Sequence, residues 1–164
     1  MANVSSKVIE VCVWKMFHNE ARYLLLKRSE RETLYPGIWQ IVTGTVEGEE
    51  HAVRAALREL REETGLRPQH LWVVPHIGFS YSPISDTVIL GPFFAAQVGD
   101  SDDPELSPEH QEYGWYEYER AKSMLVWPGQ KKGLKIVHRY IVGGLETGKL
   151  TEVKNFSQFG RETS

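Results

Sequence analysis

A single cysteine in 164 residues means that no disulfide can form within the chain, which excludes a cross-braced scaffold. That residue, Cys12, lies in the apolar run 11–14, where a buried, unreactive thiol is expected. No apolar run approaches the ~18 residues needed to span a bilayer. The opening MANVSSKVIE lacks the basic and apolar regions of a signal peptide, so the expectation is a cytoplasmic protein without membrane contact. An excess of one charge is also missing: 19 Lys+Arg against 22 Asp+Glu leave a net charge of −3. Such a weak field disfavours long nucleic acid as the main ligand. Internal repeats and low-complexity linkers are not found either. With 41% hydrophobic and 25% charged residues, the sequence implies one globular domain over 1–164. Its core is expected over about 7–145, with a weakly periodic tail over about 146–164.

Residues 8–17 and 21–28 are strand-like on either side of 18–20, which predicts a hairpin. A loop ending at Pro36-Gly37 precedes a short strand over 38–43. Residues 51–64 then read as a helix with Val53, Ala56, Leu57 and Leu60 on one stripe. Two β-rich segments, 71–81 and 87–98, flank a turn at 82–86, and 99–109 is an acidic loop. A strand over 111–118, a short helix over 119–125 and a longer one over 130–144 complete the order. Mixed in this way, the elements predict an α+β or layered α/β/α domain with a mixed sheet.

At ~100° per residue, Glu59, Glu62 and Glu63 share a second stripe of the helix. Like charges at such spacings cost a few tenths of a kcal/mol per pair, and Arg58 offsets part of this through its i,i+4 relation to Glu62. A solvated, salt-bridged surface helix would carry the same letters, RELREE. The alternative is a hard divalent cation, Mg²⁺ or Mn²⁺, which takes all-oxygen ligand sets and removes the repulsion. Gly65 follows the last helical residue, where a left-handed backbone closes a helix without a Cβ penalty. Gly44 ends a strand and lets the next loop fold back over the helix, bringing a carbonyl such as that of Thr43 towards the metals.

Gly44, Glu50, Arg58, Glu59, Leu60, Glu62, Glu63, Gly65 and Leu66 stand at the spacing G-x5-E-x7-R-E-L-x-E-E-x-G-L. A chance match of all nine has odds on the order of 10⁻⁸ at average residue usage. The pattern resembles the Nudix box, and element order extends the resemblance to that family over roughly 7–145. The resemblance implies an α/β/α sandwich and metal-dependent hydrolysis of a phosphoanhydride. By the same resemblance Glu59, Glu62 and Glu63 hold one to three divalent ions. The base that activates water would be Glu59 or a glutamate of a downstream loop. Here that loop reads SPEHQEYGW and offers Glu109, with Glu112 as its rival. Glu59, Glu63 and Glu109 are thus the catalytic candidates. Arg58, with Gly44, Glu50 and Gly65, is structural and orients the carboxylates.

The words around Trp39–Gln40 and Thr43 resemble the branch that removes pyrophosphate from dihydroneopterin triphosphate and from nucleoside triphosphates such as dATP. That resemblance implies Lys7 and Arg28 as cations for the triphosphate and Thr43 as a further polar contact. Trp39, Phe79 and Tyr81 are aromatics able to stack a purine or pterin. Asymmetric diadenosine tetraphosphate hydrolases share a Glu-His-Gln segment with 109–111 but begin their box differently. ADP-ribose-type pyrophosphatases carry a proline beyond the box that Pro83 matches one or two positions late. A non-catalytic, nucleotide-sensing module would have an eroded box, whereas this one is intact at every acidic position. Action on RNA 5′ ends would need a groove built from Lys131, Lys132, Lys135, His138 and Arg139. The expected partner is a small nucleoside or pterin polyphosphate, and a homodimer is compatible with the sequence.

Overall fold

The hairpin forms as its aliphatic runs require, with β2 (Val8–Phe17) and β3 (Glu20–Arg28) antiparallel and Phe17 opposite Glu20. The two residues between them, His18 and Asn19, both have positive φ (48° and 64°), the backbone that a two-residue hairpin turn needs to match strand twist. A computed structural model describes residues 1–160, so the end of the expected tail, 161–164, lies outside the described residues.

An additional strand, β1 (Asn3–Ser5), precedes the hairpin and pairs in parallel with the start of β7 (Thr87–Gln97). β7 continues in parallel along β2, from Glu10↔Phe93 to Trp14↔Gln97, and is antiparallel to β6 (His70–Ser82). On the other side β3 pairs with β8 (His110–Tyr116). The sheet is therefore mixed, and helices cover both faces. α1 (Ala52–Thr64) packs Val53, Ala55, Ala56 and Leu60 against Ile9, Val11, Leu24, Val42 and Phe94. On the opposite face α2 (Tyr118–Met124) and α3 (Pro128–Ile136) bring Ala121 and Leu134 against Cys12, Tyr23, Leu25 and Phe93. Cys12 is fully buried and burial pushes its thiol pKa up, as expected of an inert core cysteine.

Besides β1, three elements differ from the sequence expectation. The strand read over 38–43 is two short strands: β4 (Trp39–Gln40) on β3 and β5 (Val42–Thr45) on β2. β2 and β3 pair only near their turn, so each leaves a free edge, and the segment crosses at buried Ile41 to satisfy both. The helix expected over 130–144 starts at Pro128, whose missing N–H costs nothing in a first turn. It then widens into a π-helical turn over Val137–Val142. The tail forms α4 (Glu146–Thr151) and a 3₁₀ turn at Phe156–Gly160. Val153, Phe156 and Phe159 pack on the α1-side cluster, with Phe159 stacked 4.7 Å from His51, the residue that caps α1.

Gly65 closes α1 at φ 69°, with its N–H donating to Arg61 O at 2.8 Å. A Cβ there would meet only ordinary contact, 3.7 Å from Glu105. Gly65→Ala is therefore expected to destabilise by about 1 kcal/mol, the backbone cost alone. Urea denaturation measures this, and an unchanged midpoint would contradict the left-handed cap.

Candidate active site

Arg58 organises the start of the site. Its guanidinium donates twice to Glu50 (Nε to Oε1 3.1 Å, Nη2 to Oε2 3.0 Å), to the Thr45 carbonyl at 2.7 Å, to Glu59 at 3.0 Å and to Glu62 at 3.1 Å. These bonds hold Glu50 well below the usual carboxylate range. Arg58 thus ties the 45–50 loop to the helix. Glu59 also accepts the N–H of Thr45 at 3.1 Å. Gly44 passes so close that a Cβ on it would collide with the Glu59 side chain. The absence of a side chain at Gly44 makes room for a carboxylate, a closer constraint than the loop reversal expected of it.

Glu63 occupies a different environment. It is 4% exposed, and its Oε2 is buried with no hydrogen-bond partner among the described residues. Burial, together with the charges of Glu59, Glu109 and Glu62, pushes its pKa up to about 9 against the opposing effect of Arg28. The loop after β7 is fastened to the end of α1, with Glu105 N–H donating to Thr64 O at 2.8 Å and Ser107 N–H to Glu63 O at 3.1 Å. Ser29 N–H in turn donates to Glu109 O at 2.8 Å. Glu109 is held near Glu63 by main-chain bonds and remains exposed. The next residue, His110, is buried beside Gln40, and burial lowers its pKa to about 4, which leaves it a neutral anchor for the loop. Glu112 points elsewhere, towards Lys27 at 3.8 Å.

Beside this acidic group opens a cavity of about 410 Å³. Arg28, Gln40 and Thr43 form one part of its wall and Tyr35, Phe79 and Trp127 another. Arg28 is oriented by bonds from Nε to Leu34 O (2.9 Å) and from Nη2 to Glu32 (3.3 Å). Tyr35 meets Trp127 edge-on at 4.8 Å, with φ 51°. The volume suits one heterocyclic ring with polar groups at an end.

Of the cavity contacts inferred from sequence, Arg28, Thr43 and Phe79 line it. Trp39 packs against Tyr116 at 5.7 Å in the core on the α2–α3 side. Tyr81 is turned to Asp86, its hydroxyl donating at 2.8 Å. Lys7 is exposed and contributes its carbonyl to Val46 N–H. None of these three lines the cavity. Glu62 is 57% exposed on its pair with Arg58. His138 leaves the basic cluster, because its Nδ1 meets the Tyr23 hydroxyl at 2.7 Å and its ring stacks on Tyr118 at 4.1 Å. Sequence reasoning missed Glu10, Tyr35, Trp127 and Gln130. Only the aromatic character of Tyr35 and Trp127 was a signal, and no periodicity placed them together.

The family model for the NUDIX domain matches residues 7–140. The chain belongs to the Nudix family. Its mixed sheet between helical layers is the Nudix arrangement. It is 30% identical over 136 residues to an octanoyltransferase of Myxococcus xanthus, covering 79% of this chain but only 36% of that longer protein. Over 134 residues it is 30% identical to an asymmetrical bis(5′-nucleosyl)-tetraphosphatase of Mus musculus (77% and 85% covered). Over 116 residues it is 30% identical to a dihydroneopterin triphosphate diphosphatase of Haemophilus influenzae (63% and 70% covered). A C. elegans Ap4A hydrolase structure superposes with a TM-score of 0.71 at 22% identity, over 84% of this chain and 98% of that one.

Nudix hydrolases generally use divalent metals such as Mg²⁺ or Mn²⁺, and the box residues of this chain fit one. The donors are all oxygens, and Glu63 Oε2 is a buried acceptor lacking a donor. Among the described residues no three carboxylates or histidines converge as a ready-made cage. Arg58 accounts for this by drawing Glu59 and Glu62 to itself in place of a cation.

Proposed function

We propose that this Nudix enzyme hydrolyses a nucleoside or pterin triphosphate to the monophosphate and pyrophosphate with Mg²⁺ or Mn²⁺. The observation that supports this most is Glu63, a buried carboxylate without a donor, set among acidic neighbours near Arg28 and the cavity. Glu59, Glu63 and Glu109, with Glu62 at the rim and the main chain of Thr43, would hold the metal. Bound there, it would neutralise charge developing on the phosphate oxygens.

The chain's own groups do the rest. Arg28 and Thr43 orient the polyphosphate, with Lys7 as an outlying cation. Phe79, Tyr35 and Trp127 enclose the ring that Trp39 and Tyr81 were expected to stack. Water adds to phosphorus as the bridging P–O bond to pyrophosphate breaks, and Glu109 or Glu59 takes its proton. Glu109→Ala is expected to lower kcat roughly 100-fold with little change in KM, while Glu112→Ala stays near wild type. A near wild-type rate for Glu109→Ala would hand the base to Glu59.

The test of the function is a Mg²⁺-dependent release assay on nucleoside triphosphates including dATP, dihydroneopterin triphosphate, diadenosine tetraphosphate, ADP-ribose and capped RNA. Pyrophosphate from a triphosphate is the expected product. Release of ATP from the dinucleotide would establish the second reading, which the mouse relative and the Glu109-His110-Gln111 segment favour. Silence on every substrate would leave a nucleotide-binding module.

A further inference from the structure

The wall of the cavity carries a polar pair that phosphate chemistry does not use. Glu10, midway along β2, and Gln130, in α3, both line the cavity. Gln130 Nε2 donates to Glu10 Oε1 at 3.1 Å. Gln130 is 2% exposed, and its Oε1 is buried without a hydrogen-bond partner among the described residues. On β6 the neighbouring residue is Gly78, where a Cβ would collide with the second oxygen of Glu10. A half-buried carboxylate and a buried, orphaned amide carbonyl are costly unless donors reach them. Phe79 and Trp127, in the same wall, offer faces for a ring.

The hydrogen-bond roles are constrained. The amide of Gln130 spends one of its two N–H donors on Glu10, which fixes its orientation and leaves its carbonyl and the remaining carboxylate capacity as two neighbouring acceptors. An edge with two adjacent N–H donors satisfies such a pair. Guanine has one in its ring N–H and 2-amino group, and the pterin ring repeats the same 2-amino-4-oxopyrimidine unit. Adenine offers its amino group next to a ring-nitrogen lone pair, which would face acceptors. We propose that Glu10, positioned by Gln130, is a specificity-determining residue that selects a 2-amino-4-oxopyrimidine ring, guanine or pterin, over adenine. This rests on the reading above in which the cavity takes the heterocycle.

The first measurement is equilibrium binding of GMP and AMP to the metal-free protein by tryptophan fluorescence, for wild type and Glu10→Gln. GMP is expected to bind at least about tenfold more tightly than AMP in wild type. In Glu10→Gln the ratio should fall towards one, as GMP binding weakens and the new amide N–H lets AMP bind as well as or better than before, with the protein still folded. Equal affinities in wild type, tighter AMP, a ratio that survives the substitution, or no saturable binding of either would overturn the proposal. The second measurement is kcat/KM with Mg²⁺ on GTP, ATP and dihydroneopterin triphosphate. The better of GTP and the pterin identifies the source of the ring, whereas ATP above both would also overturn it. A protein that prefers GMP but cleaves no triphosphate loses the hydrolase reading and keeps this one. Cleavage of triphosphates without regard to the ring does the reverse.

Discussion

Glu63→Gln is expected to lower kcat by roughly 10²–10⁴-fold while leaving the protein folded, and to raise the Mg²⁺ concentration needed for half-maximal rate. The substitution keeps the volume of the side chain and removes only its capacity for negative charge. At a residue that is 4% exposed and enclosed by core, a shape-conserving change disturbs packing little. What it does change is the box carboxylate that Arg58 leaves unpaired, with only the more distant charge of Arg28 opposing it. Arg58 already engages Glu50, Glu59 and Glu62 at 3.0–3.1 Å, whereas Glu63 Oε2 has no hydrogen-bond partner among the described residues. The natural control is Glu62→Gln. Its carboxylate is 57% exposed, so the loss there should be much smaller, since solvent and the Arg58 pair already screen that charge. Steady-state rates across a Mg²⁺ titration check both. Equal damage from the two substitutions would mean that burial does not set the hierarchy among the box glutamates, and undiminished turnover in Glu63→Gln would remove the metal assignment.

The sequence carried this site only as far as local periodicity reaches. A 3.6-residue repeat and the box spacing put Glu59, Glu62 and Glu63 on one stripe, because i,i+3 and i,i+4 relations are fixed by helix geometry. Which of them is buried is not a helical property. It depends on the loop from 105 to 110, bonded back onto Thr64 and Glu63 through main-chain groups that any residue possesses. The hairpin was legible because aliphatic runs flank a turn, while the break at Ile41 was not, since it answers two sheet edges far apart in sequence. The cavity was least legible of all. Tyr35, Phe79 and Trp127 come from three separate segments and are exposed enough to resemble surface residues, and Trp39 and Tyr81 were indistinguishable from them by composition. Their sorting is done by strand direction and by partners such as Tyr116 and Asp86.

The same buried glutamate predicts how the metal-free protein responds to pH. In the fold Glu63 keeps its proton to about pH 9, against an ordinary value of 4.5. Between those limits the native state binds one more proton than the unfolded chain, so stability is full below pH 4.5 and declines as pH rises towards 9. His110, lowered to about 4 from 6.5, acts in the opposite sense: its neutral form is native-like, and it costs stability only below pH 6.5. Over the interval from pH 7 to 9 Glu63 therefore dominates, with buried Cys12, whose thiol is also pushed up, adding a smaller loss in the same direction. Urea unfolding in a chelator is expected to show roughly 2 kcal/mol less stability at pH 9 than at pH 7. Glu63→Gln should remove most of that difference, leaving the small slope of Cys12, and be the more stable protein at pH 9, although it is the inactive one. Parallel pH profiles for the two proteins would show that Glu63 is not held protonated. Added Mg²⁺ should reverse the trend in wild type alone, because a cation at this carboxylate displaces the proton and binds more tightly as pH rises. A group that weakens the empty fold and strengthens the loaded one is the signature of a carboxylate placed for its ligand, and the chelator experiment reads that trade without any assay of turnover.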